Sequence, residues 1–140
     1  MTCATLRKFC RSLRDRRKKL GMPLDVLAAR SRLSRATVVR IVSGKHTSVS
    51  FLNVAALAEA LGVAVTLRST DQGVAMEFIP KEVENIIDKQ ALYQAKRLVG
   101  MVQGTMGLEA QALDAAAASE LVDKTRRELA NSSWKNLWVE

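Results

Sequence analysis

The stretch SRLSRATVVRIVSGK, residues 31–45, sets three arginines and a lysine around an apolar thread of Val38, Ile41 and Val42. At helical spacing that thread turns inward, so Val38 and Ile41 anchor the segment to a core. The opposite face then carries Arg35, Ala36, Val39, Arg40 and Ser43. An arginine on such a face can grip guanine O6 and N7 in bidentate fashion when its helix lies in a major groove, and a threonine such as Thr37 offers a methyl and a hydroxyl. Arg35, Ala36, Thr37, Val39 and Arg40 are therefore the candidate base readers. Arg32, Ser34, Ser43, Lys45, Thr47 and Ser48, with Arg17 and Lys18 from an upstream basic run, are candidate phosphate contacts, which position a protein on a duplex without reading its sequence.

These residues need a scaffold, and the flanking pattern supplies one. Leu6, Phe9, Cys10, Leu13 and Leu20 recur at helical spacing and predict a helix over 3–20, closed by Gly21. Pro23 can open a second helix, to about Ser31, with Leu24, Leu27 and small Ala28 inward. Ser34 is an N-cap for a third helix running through Val42, and Gly44 follows as its C-terminal glycine. A polar loop, Lys45–Ser50, precedes a fourth helix on Phe51, Val54, Leu57, Ala58 and Leu61, stopped by Gly62. The period then changes to two. Val63, Val65 and Leu67, then Val74, Met76 and Phe78, flank the turn residues Asp71-Gln72-Gly73 and predict a β-hairpin. An isolated hairpin is marginal in water, so its apolar face needs a partner, and a second copy of the chain is the simplest one. From Pro80 the pattern predicts a helix of about 20 residues, weakened towards its end by Gly100, Gly104 and Gly107. A last helix is expected over 115–130, capped by Asp114, with Leu121, Val122, Thr125 and Leu129 inward. Trp134 and Trp138 then lie four apart.

The charge distribution agrees with a polyanion-binding head. Residues 1–50 hold 13 Lys and Arg against 2 acids, whereas residues 81–140 hold 8 against 9. One basic part beside a neutral part points to nucleic acid for the first and another task for the second. A membrane surface is the competing polyanion. The run Arg14-Asp15-Arg16-Arg17-Lys18-Lys19 lacks the large aromatic-plus-basic face that a membrane-surface helix carries, and no apolar run reaches a membrane span. Cys3 and Cys10, seven apart, suit neither a disulfide framework nor a zinc site and read as plain thiols of a reducing, cytoplasmic compartment. A lone His46, no carboxylate pair, no metal-ligand cluster and no phosphate loop leave no basis for catalysis, metal or cofactor.

Residues 10–67, and in particular LGMPLDVLAARSRLSRATVVRIVSGK…FLNVAALAEALGV, resemble the lambda-repressor/Cro-like (XRE) helix-turn-helix family. The resemblance implies a helical bundle that places its third helix in the major groove and binds palindromic double-stranded DNA as a homodimer. It maps Arg35, Ala36 and Arg40 to base-facing positions, Ser34 to the helix cap, Gly44 to the closing glycine and Phe51 to a core aromatic. Two departures stand out. Pro23 and Leu24 occupy the position where the family often has a glutamine that braces a phosphate. Arg32 occupies the turn position that is often glycine, which either strains the turn by ~1 kcal/mol or adds a phosphate contact.

The second half is more than DNA binding requires. The hairpin after ALGVAVTLRS resembles that of small antitoxins from toxin–antitoxin operons, which implies a C-terminal region that neutralises a toxin enzyme. TMGLE, Thr105 to Glu109, also resembles the inhibitory helix of antitoxins against Fic-type nucleotidylating enzymes, with Glu109 inhibitory and Thr105 its helix partner, although Ala110 departs from the Gly or Asn that usually follows. Toxins of the kinase or nucleotidyltransferase type fit equally. Trp134 and Trp138 are assigned either to packing or to a partner surface. The expected architecture is mostly α: a four-to-five-helix bundle over 1–62, a dimerising hairpin over 63–79 and a helical partner-binding region over 80–140. The expected function is a prokaryotic-type, nucleoid-associated autorepressor and antitoxin. The alternative is a stand-alone phage-type or metabolic repressor whose C-terminal half only dimerises or senses a ligand.

Overall fold

A computed structural model describes residues 3–45, 48–108, 113–132 and 136–139. The chain is mostly helical and divides into two compact units, Met1–Glu82 and Val83–Val139.

The first unit contains α1 (Cys3–Lys19), α2 (Leu24–Ser31), α3 (Arg35–Ser43), α4 (Phe51–Ala60) and the hairpin β1 (Val63–Thr70) and β2 (Gly73–Pro80). α1 packs on α3, and α2 on both α3 and α4. Leu13, Leu20, Leu27, Val38, Ile41, Leu57 and Leu61 meet in its interior and are fully buried. Each such side chain contributes about 1.5–3 kcal/mol relative to exposure. Cys10 lies in this core, and burial pushes its thiol pKa up, so it behaves as a small apolar residue. The helix boundaries follow from local chemistry. The Thr37 N–H donates to Ser34 Oγ at 3.1 Å, and Gly44 adopts the left-handed conformation that ends α3, with φ 63°. Pro23 stands at the cap of α2 rather than inside its first turn, and its carbonyl accepts the Leu27 N–H at 3.0 Å.

Phe51 is not a core aromatic. It is the first residue of α4 and is 43% exposed, because Val54, Leu57 and Ala58 already fill the inward face of that helix. Its ring instead borders a surface groove of about 520 Å³ shared with Ala55, Val63, Val65 and Leu67.

The hairpin is antiparallel, with Val65 opposite Phe78, Leu67 opposite Met76 and Ser69 opposite Val74. Alternation puts Val63, Val65, Leu67, Val74 and Phe78 on one face. The inner end of that face is covered: Val63 is buried and Phe78 stacks on Phe9. The outer end is bare, with Leu67 69% and Val74 72% exposed.

The second unit is a helical hairpin, α5 (Val83–Leu108) and α6 (Ala115–Asn131). α5 is 26 residues long and continues through Gly100 and Gly104, beyond the expected length of about 20. Glycine lowers helix propensity by about 1 kcal/mol but removes no backbone donor, so it weakens a helix without stopping it. Asp114 caps α6 as expected, its carboxylate accepting the Ala117 N–H at 2.7 Å. Leu121, Val122, Thr125 and Leu129 are half-buried. α5 buries Ala91, Ala95 and Val99, together with Gln90 and Gln94. Both glutamines serve the segment 136–139. Gln90 Nε2 donates to the Leu137 carbonyl at 2.9 Å, and Gln94 Nε2 donates to the Val139 carbonyl. Leu137 and Trp138 are each 1% exposed, so the Trp138 ring belongs to the interior of this unit and is not a partner-facing residue. Among the described residues, no helix is long and apolar enough to cross a membrane.

Candidate nucleic-acid interface

The turn between α2 and α3 sets the geometry of the basic helix. Arg32 takes the left-handed conformation, φ 55°, and among the described residues it is the non-glycine with positive φ. The Leu33 N–H reaches back to the Ala28 carbonyl at 3.1 Å and the Arg32 N–H to Ala29 at 3.2 Å, which closes α2 and redirects the chain. A side chain in this conformation costs roughly 1 kcal/mol, and it leaves the Arg32 side chain exposed beside the N-terminus of α3. Ser31 Oγ satisfies the Leu27 carbonyl at 2.7 Å beneath the turn.

α3 is held from below by Val38, Ile41 and Val42, all buried. Its other side exposes Arg35, Ala36, Val39 and Arg40. Residues 36, 40 and 43 share one stripe at spacing four and three, with 35 and 39 beside it. This face mixes two guanidinium groups with a methyl and an isopropyl group, the chemistry that suits guanine edges and thymine methyls. Thr37 is half-buried, and its hydroxyl lies 2.8 Å from Ser34 Oγ, so it joins the cap at the exposed start of α3. The Ser43 hydroxyl donates to the Arg40 carbonyl at 2.9 Å. Lys45 and Ser48 are exposed beyond the end of α3, while Thr47 and His46 lie outside the described residues.

The basic run of α1 splits by role, which its sequence did not disclose. Arg16 Nε donates to the Leu61 carbonyl at 2.7 Å, and its Nη2 donates to the carbonyls of Gly62, at 3.4 Å, and Lys81. One guanidinium thus ties α1 to the end of α4 and to both ends of the hairpin. Burial lowers the Arg16 pKa. Arg17 Nη1 donates to the Met22 carbonyl at 2.8 Å and braces the turn after α1. Lys18 and Lys19 are exposed. All four cations occupy the last turn of α1, where they also oppose the negative end of the helix dipole.

An acid at the interface escaped the sequence reading. Asp25, in the first turn of α2, forms an ion pair with Arg35, Oδ1 to Nε 2.8 Å. The pair is ten residues apart, a separation to which no local periodicity points. In the second unit, Thr105 is exposed on α5 and its hydroxyl donates to the Met101 carbonyl at 3.2 Å. Glu109 and Trp134 lie outside the described residues. Leu98, Met101 and Val102 are exposed on α5 at helical spacing.

Residues 13–67 match the family model described as helix-turn-helix. The match covers α2, α3 and α4 with the end of α1 and the start of β1, and it supports a DNA-binding transcription regulator of the XRE type. No curated protein and no solved structure matches the chain.

Proposed function

We propose that the chain is a sequence-specific transcriptional repressor that inserts α3 into the major groove as a homodimer. The observation that carries this reading is the two-faced α3: Val38, Ile41 and Val42 fix it to the core, while Arg35, Ala36, Val39 and Arg40 face outward. Arg35 and Arg40 read guanine edges, and Ala36 and Val39 contact base methyls. Arg32, Lys45, Ser48 and Lys18 take phosphates around them, and the Ser34 cap and Ser43 hold the two ends of the helix. Two copies joined through the bare outer face of the hairpin, Leu67 and Val74, would present two α3 helices to half-sites about 34 Å apart. Replacing Arg40 with Ala tests base reading. Affinity for a wild-type-selected duplex should fall by about 1–3 kcal/mol with relaxed base preference. Equal affinity of both proteins for selected and random duplexes would sink it.

The second unit is assigned to a partner protein, and the repressor then works as the antitoxin of a toxin enzyme of the Fic, kinase or nucleotidyltransferase type. Support comes from the near-neutral charge of residues 81–140 and from the exposed apolar stripe Leu98, Met101 and Val102 on α5. Since Trp138 is internal, that stripe supplies the contact surface. Co-expression with the neighbouring open reading frame tests it. Wild type should relieve that product's toxicity and Leu98→Glu/Val102→Glu should not. A neighbour that is harmless alone rejects the antitoxin role.

A further inference from the structure

Residues 1–50 contain only two acids, Asp15 and Asp25. Asp15 pairs with its neighbour Arg14 on α1 at 3.4 Å. Asp25 instead stands at the proposed DNA face, where a carboxylate repels phosphates and lowers affinity for any duplex. Stability does not account for its placement. The Asp25 and Arg35 side chains are 78% and 63% exposed, and an ion pair that open contributes little to folding.

The geometry of the contact accounts for it better. Asp25 Oδ1 lies 2.8 Å from Nε of Arg35, the inner nitrogen of the guanidinium, as an ion pair. This contact restrains the side chain at its inner end, and Nη1 and Nη2 form the terminal fork of a guanidinium that is 63% exposed. That fork matches guanine O6 and N7. An unrestrained arginine loses considerable rotamer freedom on docking, and a partner that holds it beforehand removes part of that cost. The same carboxylate also acts against wrong sites. An arginine tethered by Asp25 is less free to swing onto other bases or phosphates where no guanine meets it, which widens the gap between right and wrong sequences. Arg40 makes no ion pair among the described residues and serves as the internal control.

We propose that Asp25 is a positioning residue that presents Arg35 to guanine and thereby sets base specificity at one position of each half-site. This inference rests on the reading of Arg35 as a base reader.

The test uses the full-length protein as wild type, Arg35→Ala, Asp25→Ala, Asp25→Asn and Asp25→Glu. Each is used to select duplexes from a random library. Affinities are then measured for the wild-type-selected duplex, its single-base variants and a scrambled duplex, alongside thermal melting of each protein. Arg35→Ala should lose preference for one guanine per half-site. Asp25→Ala and Asp25→Asn should lower preference at that same guanine by roughly fivefold or more. Preference should persist at the other positions, and affinity for scrambled duplex should be equal or higher. Asp25→Glu should restore most of the preference. Full guanine preference in the Asp25 variants, where Arg35→Ala has lost it, overturns the positioning role alone. Uniform loss at every position with a lowered melting temperature also overturns it, since that is a folding effect. Unchanged preference in Arg35→Ala overturns the base-reading assignment and this inference with it.

Discussion

The Phe9 ring of α1 stacks on the Phe78 ring of β2, with centroids 3.9 Å apart and planes 30° from parallel. Val65 lies opposite Phe78 across the hairpin, so one aromatic pair fastens the inner half of both strands to the helical bundle. The hairpin is thereby an extension of the helix-turn-helix unit and can transmit the position of its outer end to α3. Phe78→Ala should lower stability by about 1–3 kcal/mol, a half-buried share of the usual aromatic truncation cost. Urea denaturation measures the loss, and hydrogen exchange should show the amides of 63–80 becoming fast while those of α3 stay protected.

Arg16 and Lys18 should separate cleanly although they sit two residues apart in one basic run. Arg16→Ala leaves three carbonyls without their charged donor and should cost about 1–3 kcal/mol of stability, with little change in the salt dependence of DNA binding. Lys18→Ala should do the reverse: unchanged melting, and a salt slope shallower by about 1. Titrating duplex binding against salt concentration for both variants decides the assignment.

Leu67 and Val74 leave an exposed apolar surface at the outer end of the hairpin. If a second copy covers it, Leu67→Glu places two carboxylates across that junction and should shift the protein from dimer to monomer in sedimentation equilibrium. Binding to a full palindrome should fall while binding to an isolated half-site is kept. A wild-type protein that sediments as a monomer at all concentrations removes the hairpin from this role.

Gly100 and Gly104 lie within α5, and a Cβ at either would meet nothing within 4 Å. Alanine at each should therefore stabilise the second unit by about 1 kcal/mol per site through helix propensity and reduced freedom of the unfolded chain. Circular dichroism melts of the two single variants provide the check.

What could be read from the sequence was what local chemistry decides. Ser34, Gly44 and Asp114 announce helix ends because a cap acts over three or four residues. The hairpin shows in a change of period, and the inward face of α3 in the spacing of Val38, Ile41 and Val42. Arg16 and Asp25 eluded the same reading because their partners are 45 and 10 residues away, and a charged side chain carries no mark of whether it meets water, a carbonyl or a carboxylate. The sequence leaves Trp138 between packing and a partner surface for a related reason. Its interior position goes with Gln90 and Gln94 donating to the carbonyls of Leu137 and Val139 on either side of it, a long-range agreement between side-chain amides and a distant backbone. The resemblance to the XRE family implies a core aromatic at Phe51, whereas this chain fills that part of the core with Val54, Leu57 and Ala58 and leaves the ring at the surface.

The two glutamines of α5 also impose an order on biosynthesis. Their amides are buried against carbonyls of residues 137 and 139, which leave the ribosome about 45 positions after them. Until then the two bonds from Gln90 and Gln94 to that segment cannot form, and the side of α5 that Leu137 and Trp138 cover stays open to water. A chain lacking residues 136–139 should therefore melt at a lower temperature in its second unit, because α5 would expose the surface that Leu137 and Trp138 bury.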